Sequence, residues 1–188
     1  MCVYPKTRIV SHMSIKSKIR TIPNFPVEGV MFRDISTLIG DPDGLQLIVS
    51  KFKERYKNKN SFDMVVGIEA RGFIVGSALA YALNKGFVMV RKPDKLPGKT
   101  VSEEYQLEYG SDKMEIHSDA FSPGSKILLV DDLLATGGTM IGAISLIERI
   151  GGIIFELAVI IDLPDLGGSK KLTEMGLKLF SLTKYAGD

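Results

Sequence analysis

Two adjacent carboxylates, Asp131 and Asp132, close an apolar run, and four residues later comes a small turn, Thr136-Gly137-Gly138-Thr139. The turn opens a helical pattern, so its backbone N–H groups lie where a helix leaves donors without intrahelical partners. Those donors and the helix dipole favour an anion, the glycines let a phosphate come close, and the two threonines add hydroxyls. The same four residues also satisfy a simpler role as an N-cap and its turn. Paired carboxylates next to an anion site can hold vicinal hydroxyls or a hydrated divalent metal, and phosphate beside vicinal hydroxyls describes a sugar phosphate. The alternative is that both acids cap helices or pair with basic residues, since a desolvated, unpaired carboxylate is costly. No Gly-Lys-Ser/Thr follows at P-loop spacing, and no strand leads into GxGxxG, so neither nucleotide fingerprint applies.

Arg71, Arg91, Lys92 and Lys95 supply positive charge. Arg offers a planar bidentate fork and Lys a compact charge, and both suit a polyphosphate, although isolated surface cations are commonly just solvated. Glu69-Ala70-Arg71-Gly72 is more specific, because a strand leaving into a small, tight turn resembles a second anion-binding nest. His12 and His117 stand far apart without cysteines at zinc-ligand spacing, which argues against a protein-built zinc site. His117 is expected to pack or cap locally.

The elements that must position these groups read as strand–helix alternation. Met64–Ile68, Phe87–Val90, Ile127–Val130 and Leu157–Ile161 are short runs apolar on both parities, as strands covered on both faces are. Leu45, Ile48, Val49 and Phe52 share a helical face, with Asp43-Gly44 near its start. Gly72–Leu83 reads as a helix stopped by Asn84-Lys85-Gly86, and Met140, Ala143, Ile144, Ile147 and Ile150 form a stripe ended by Gly151-Gly152. Ile15, Ile19 and Ile22 predict a short helix that stops at Pro23. This order implies an α/β fold with a doubly wound, mainly parallel sheet flanked by helices. Residues 93–117 break the rhythm and read as a β-hairpin excursion, with Tyr105, Leu107 and Tyr109 alternating before a Gly110-Ser111-Asp112 turn. Ligands of such sheets sit beyond the carboxyl ends of the strands. There the sequence places Glu69–Gly72, Arg91-Lys92, Asp131-Asp132 and Asp162-Leu163, two basic and two acidic groups on one rim.

A length of 188 residues suggests one domain, expected over residues 15–188 behind a disordered basic tail, residues 1–14. No run approaches the roughly 18 apolar residues needed to span a bilayer. A net charge of only +2 imposes no nucleic-acid footprint, so neither nucleic acid nor membrane is expected as a partner. Cys2 is the only cysteine, which rules out an intrachain disulfide and fits a reducing cytoplasm.

The block Val130-Asp131-Asp132-Leu133-Leu134-Ala135-Thr136-Gly137-Gly138-Thr139 resembles the phosphoribosyl-diphosphate motif of type I phosphoribosyltransferases. Phe25-Pro26, Gly29–Ile35, Glu69–Phe73, Val90–Pro97 and Leu107–Gly110 resemble the adenine phosphoribosyltransferase branch of that family, over roughly residues 15–185. The resemblance implies the type I fold, with a small N-terminal hood and a flexible β-hairpin lid. It also implies formation of AMP and diphosphate from adenine and phosphoribosyl diphosphate, in purine salvage. Carried over, Ala135, Thr136, Gly137, Gly138 and Thr139 would hold the 5′-phosphate, and Asp131 and Asp132 the ribose hydroxyls. Ala70, Arg71, Arg91, Lys92 and Lys95 would receive the diphosphate, around a Glu69–Ala70 peptide expected to be cis. Phe32 and Leu163 would sandwich adenine, with backbone near Met31 and Arg33 reading its edge. Glu108 and Tyr109 would close over the reacting centre as the catalytic pair. Mg2+ is expected to arrive with phosphoribosyl diphosphate, through substrate and water rather than direct protein ligands, and the family resemblance implies a homodimer.

Two rivals share the motif. A purine-operon regulator would sense phosphoribosyl diphosphate without catalysis, but needs an added DNA-binding domain, and some 20 residues before Phe25-Pro26 are too few for a winged helix. A transferase for another base, such as xanthine or orotate, would share the mechanism. A 6-oxopurine site commonly offers a lysine to the exocyclic oxygen, and Val159–Gly168 contains none, which favours adenine.

Overall fold

In the computed structural model, which describes residues 14–57, 61–106 and 110–186, the buried apolar runs pair into one sheet. The elements follow in chain order. A single helical turn α1 (Ile15–Lys18) leads to an antiparallel pair, β1 (Arg20–Pro23) and β2 (Met31–Asp34), then to α2 (Ser36–Ile39) and α3 (Pro42–Tyr56). Next come β3 (Met64–Ile68), α4 (Arg71–Leu83) and β4 (Gly86–Val90), and the hairpin β5 (Thr100–Gln106) and β6 (Ser111–His117). The chain ends with β7 (Lys126–Leu134), α5 (Gly138–Arg149), β8 (Ile153–Asp162), α6 (Gly168–Glu174) and β9 (Leu179–Lys184).

The main sheet has the order β4-β3-β7-β8-β9, parallel throughout. From β3 the chain crosses outward to β4, and from β7 it crosses the other way to β8. The loops leaving β3 and β7 therefore diverge, and the crevice between them is the place where such sheets take ligands. Strand parity divides the core. Val65, Leu128, Val130, Ala158 and Ile160 meet Ile48 and Phe52 of α3 and Val75 and Leu79 of α4 on one face. Val66, Leu129, Leu157 and Val159 meet Met140, Ile144 and Ile147 of α5, together with Tyr105, Met114 and Ile116 of the hairpin, on the other. Each fully buried aliphatic side chain contributes about 1.5–3 kcal/mol, which is why both parities of these strands are apolar.

The four expected strands and three of the four expected helices are present, with ends moved by local chemistry. α3 starts at Pro42, because Asp41 caps it by accepting from the Asp43 amide at 3.0 Å. Asn84 takes the left-handed conformation that ends α4. The helix expected from Ile15 through Ile22 does not run that far. It stops at Lys18, and Ile22 pairs with Phe32 in the β1–β2 ladder, where β-branched Thr21 and Ile22 fit better than in a helix. β7 continues beyond Val130 to pair Leu133 with Ile161 and Leu134 with Asp162, so Asp131 and Asp132 lie inside the strand rather than after it. Ser111 and Asp112 belong to β6, opposite Gln106 and Tyr105, and not to a turn. β9 was not expected at all. It is an edge strand with half-buried residues and no two-sided apolar signature. The basic tail expected over residues 1–14 falls, apart from Ser14, outside the described residues.

The β1–β2 pair forms the small hood, pinned at its base by Asp34. This carboxylate accepts from Ser36, including its amide at 2.8 Å, and from Arg20 Nε at 3.0 Å, and these bonds hold its pKa down to about 2. A depressed acid stabilises the fold above its unfolded pKa and loses that contribution as pH falls through the folded value. Asp34→Asn is therefore expected to flatten the loss of thermal stability between about pH 4 and pH 2. Parallel melting-temperature curves for the two proteins would refute this role.

Candidate active site

A cleft of about 470 Å³ opens at the carboxyl ends of β3, β4 and β7 and is walled by the hairpin. Its lining takes in residues 68–71, 90–92 and 131–140, with Tyr105, Asp112 and Met114 from the hairpin. Arg71, Arg91, Lys92, Asp131 and Asp132, expected on one rim, thus line one cleft, whereas Asp162 lies inside β8, 3.3 Å from Lys184 Nζ, and does not line it.

The floor on one side is the Thr136–Thr139 turn. Gly137 has φ +88° and α5 begins at Gly138, with Ile141 N–H giving the first helical bond to the Gly137 carbonyl at 2.9 Å. The N–H groups of the residues between have no carbonyl four positions back and point out of the helix start, the arrangement that receives an anion. A residue that sequence reasoning did not single out closes the back of this turn. Gly168 N–H donates to the Ala135 carbonyl at 3.0 Å, and a Cβ on Gly168 would fall 2.2 Å from that oxygen and 2.9 Å from the Gly137 nitrogen. Only glycine permits that approach.

The carboxylates sit beside the turn. Asp132 is 4% exposed, and Arg71 Nε lies 2.6 Å from its Oδ2 as an ion pair. Asp132 N–H donates to Asp131 Oδ1 at 2.8 Å. Burial, reinforced by the neighbouring Asp132 charge, pushes the Asp131 carboxyl well above the usual carboxylate range, only partly offset by Arg71. A site that raises an acid in this way favours any ligand that donates hydrogen bonds or brings positive charge. Gly72, in the first turn of α4, allows this closeness, because a Cβ there would meet Asp131 Oδ1 at 2.9 Å. Among the described residues no group of three or more His, Cys, Asp or Glu could hold a metal ion.

The cations occupy the opposite side, and three of the four line the cleft. The Glu69–Ala70 peptide is cis, as the resemblance implies. Arg91 donates through Nε and Nη2 to Glu69 at 3.2 and 3.0 Å and through Nη1 to the Lys95 carbonyl at 3.2 Å. Lys92 Nζ reaches Asp112 Oδ2 and the Tyr105 hydroxyl, the latter at 3.2 Å. Lys95 itself is absent from the lining. The partners Glu69, Tyr105 and Asp112 carried no assigned role in the sequence, because pairing across β3, β4 and β6 has no signature in residue spacing. His117 has the local role expected of it, with Nε2 2.8 Å from the Pro97 carbonyl.

The hood meets the cleft at Arg71. Arg71 Cζ lies 5.7 Å from the Phe32 ring centroid, and Phe25, after which the peptide to Pro26 is cis, meets Phe32 edge-on at 5.1 Å. Of the four residues expected at the base, none lines the cleft, neither Met31, Phe32 and Arg33 of the hood nor Leu163. The Arg33 side chain turns away to Thr21 Oγ1 and over the Tyr185 ring, leaving its backbone on the hood. Leu163 N–H is held by the Leu134 carbonyl at 2.9 Å, next to the Asp pair's own strand. Glu108 and Tyr109 lie outside the described residues.

Residues 37–178 match the family described as phosphoribosyl transferase domain. The chain is also similar to adenine phosphoribosyltransferase of Chlorobium phaeobacteroides, 59% identical over 94% of this chain and 100% of the relative. The chain belongs to the adenine phosphoribosyltransferase family. Solved structures agree in architecture. The adenine phosphoribosyltransferase of Thermoanaerobacter pseudethanolicus superposes with a TM-score of 0.86 at 44% identity, covering 91% of this chain and 98% of that one. That of Saccharomyces cerevisiae, complexed with an imino-altritol bisphosphate and adenine, gives 0.84 at 36% identity over 90% and 96%. In an adenine phosphoribosyltransferase frame the acidic turn side of the cleft and its basic side face each other across the switch point of the sheet.

Proposed function

We propose that this chain transfers the 5-phosphoribosyl group from phosphoribosyl diphosphate to N9 of adenine, yielding AMP and diphosphate for purine salvage. The observation that carries this reading is a single cleft holding a helix N-terminal turn, two adjacent carboxylates and three cations, alongside family membership. In it, Ala135–Thr139 take the 5′-phosphate, Asp131 and Asp132 the ribose hydroxyls, and Ala70, Arg71, Arg91, Lys92 and Lys95 the diphosphate. Phe32 and Leu163 hold adenine between them, with backbone at Met31 and Arg33 reading its edge. The Phe32–Arg71 contact supports placing the base next to the sugar donor.

As the bond from the anomeric carbon to diphosphate breaks, positive charge develops on the sugar and negative charge on the leaving group. Asp131 and Asp132 face the first, while Arg71 and the basic rim face the second. The adenine N9 lone pair forms the new bond, and Glu108 takes the N9 proton. Mg2+ bound with the donor would neutralise charge on the diphosphate, with Asp131 and Asp132 bordering it through water. Two adjacent carboxylates, Asp131 and Asp132, lining one cleft are oxygen donors that fit a nearby hydrated cation. We place the enzyme in the cytoplasm, to which a lone cysteine is suited, and propose a homodimer. Exposed apolar residues on α4 and β4, Ile74, Tyr81 and Met89, support self-association, which sedimentation would test.

The deciding assay incubates the protein with phosphoribosyl diphosphate, Mg2+ and each nucleobase in turn. AMP from adenine alone is the expected product, and preference for another base would overturn the reading. Glu108→Ala is expected to lower kcat about 10²–10⁴-fold with little change in donor affinity. Unchanged turnover would remove Glu108 from the mechanism.

A further inference from the structure

Two of the cations on the diphosphate side of the cleft, Arg91 and Lys92, are engaged by carboxylates from the cleft walls. Glu69 accepts two parallel bonds from Arg91 and a third from the Lys92 backbone N–H at 2.9 Å. A guanidinium fork plus a main-chain amide is the donor set that also suits phosphate oxygens. Lys92 Nζ is held by Asp112 Oδ2, with the Tyr105 hydroxyl donating to the same oxygen at 3.2 Å. The two carboxylates come from different walls. Glu69 ends the β3 side and Asp112 stands on β6 of the hairpin, so the basic rim is bridged to both.

Neither acid is trapped. The side chains of Glu69 and Asp112 are 20% and 31% exposed, so each can swing out without leaving a buried charge behind. Arg91, aided by the Lys92 amide, holds the Glu69 carboxyl below its usual range, which keeps it an anion at neutral pH. With its Nε edge on Glu69 and Nη1 on the Lys95 carbonyl, Arg91 cannot present its full fork to a ligand until Glu69 moves.

We propose that Glu69 and Asp112 are resident counter-ions of the diphosphate site, displaced from Arg91 and Lys92 when diphosphate binds and returning as it leaves. The proposal rests on the reading of this cleft as the diphosphate site. It assigns two positioning residues to the reaction, whose effect is to keep a strongly cationic site from retaining its product. Exchange at Asp112 also releases the hairpin from the basic rim, linking product departure to the wall that carries β6.

The sign of the effect separates this role from simple support. A counter-ion competes with diphosphate, so removing its charge tightens binding. A buttress holds Arg91 or Lys92 in place, so removing it weakens binding. Titration of the full chain with magnesium diphosphate by calorimetry is expected to show about three- to tenfold tighter binding for Glu69→Gln and for Asp112→Asn than for the unaltered protein. Product inhibition by diphosphate should strengthen in step, whereas Asp112→Glu, which keeps the charge, should restore the original affinity. Thermal unfolding checks the fold, and Asp112→Asn, on the hairpin, carries the test if Glu69→Gln does not fold. Unaltered or weaker binding in the folded variants would overturn the counter-ion role alone. Failure of the unaltered protein to bind diphosphate would overturn the reading of the cleft and this proposal with it.

Discussion

Gly168→Ala is expected to raise the KM for phosphoribosyl diphosphate by roughly 30- to 150-fold, the effect of about 2–3 kcal/mol of overpacking. The added methyl group would sit 2.2 Å from the Ala135 carbonyl oxygen and within 3.0 Å of Thr136 main chain, so the 135–137 turn must shift to admit it. The same turn is tied from behind by Gly168 N–H on Ala135 and by Lys171 Nζ on the Thr136 carbonyl at 3.3 Å. Gly137 packs against the same residue, since a Cβ on it would fall 3.2 Å from Gly168 Cα, so the added methyl group meets the turn along its length. The donors at the start of α5 would then be misaimed by a fraction of an ångström, enough to weaken a phosphate held by several N–H groups at once. A Cβ on Gly168 meets main chain of Ala135, Thr136 and Gly137 first, so kcat should change much less than KM. Steady-state kinetics against the sugar donor decide it, with thermal unfolding to check that the variant is folded. A KM within threefold of the original, about 0.6 kcal/mol, would mean that the turn does not hold the phosphate.

Arg71→Ala should be more damaging, because this residue serves both halves of the cleft. It is the cation on Asp132, it lies against Phe32 of the hood, and it belongs to the rim proposed to receive diphosphate. Loss of a preorganised charge at a developing anion commonly costs about 10²–10³-fold in turnover, and kcat/KM is expected to fall at least that far. Stability should fall as well. Orphaning a buried carboxylate costs about 3–5 kcal/mol, but the Arg71 side chain is 45% exposed and screened, which reduces the expected loss to about 2 kcal/mol.

The pH dependence carries the sign. The Asp131 carboxyl is already raised, and an acid whose folded pKa is raised stabilises the fold below its unfolded pKa and loses that contribution as pH rises through the folded value. Without Arg71 the pair has less compensation, so the loss of stability should be larger at about pH 8 than at about pH 5. Arg71→Lys should recover part of the stability and less of the activity, since an ammonium cannot replace the fork. Equal destabilisation at both pH values would show that Arg71 does not compensate the Asp pair.

What was legible in the sequence was what depends on residue type along the chain. Two-sided apolar runs marked β3, β7 and β8, which are covered on both faces, and the wholly apolar Phe87–Val90 marked β4 although it is an edge strand with Met89 exposed. The other edge strand, β9 (Leu179–Lys184), was missed because Ser181, Thr183 and Lys184 interrupt its apolar run. Ile22 was misread as helical because its spacing from Ile15 and Ile19 is right for a helix. Its pairing with Phe32 depends on a partner ten residues away. The same limit applies to the site. Thr136–Thr139 and Asp131-Asp132 form one local block, and their proximity follows from contiguity, so their place in one cleft could be anticipated.

The sequence by itself determined the α/β order, the half of the cleft made by Asp131-Asp132 and the Thr136–Thr139 turn, and the family. Each of these is written in contiguous residues or in the period of buried ones. Tertiary structure alone decided which charges neutralise which. Arg71 meets Asp132, Arg91 meets Glu69, and Lys92 meets Asp112 from a hairpin 20 residues further on. It also decided that Gly168, the first residue of α6, supports a turn that follows β7. The reason is physical. Ion pairing and close backbone approach depend on distances across strands, and those are set by the register and crossover of the sheet, to which no spacing within the chain corresponds.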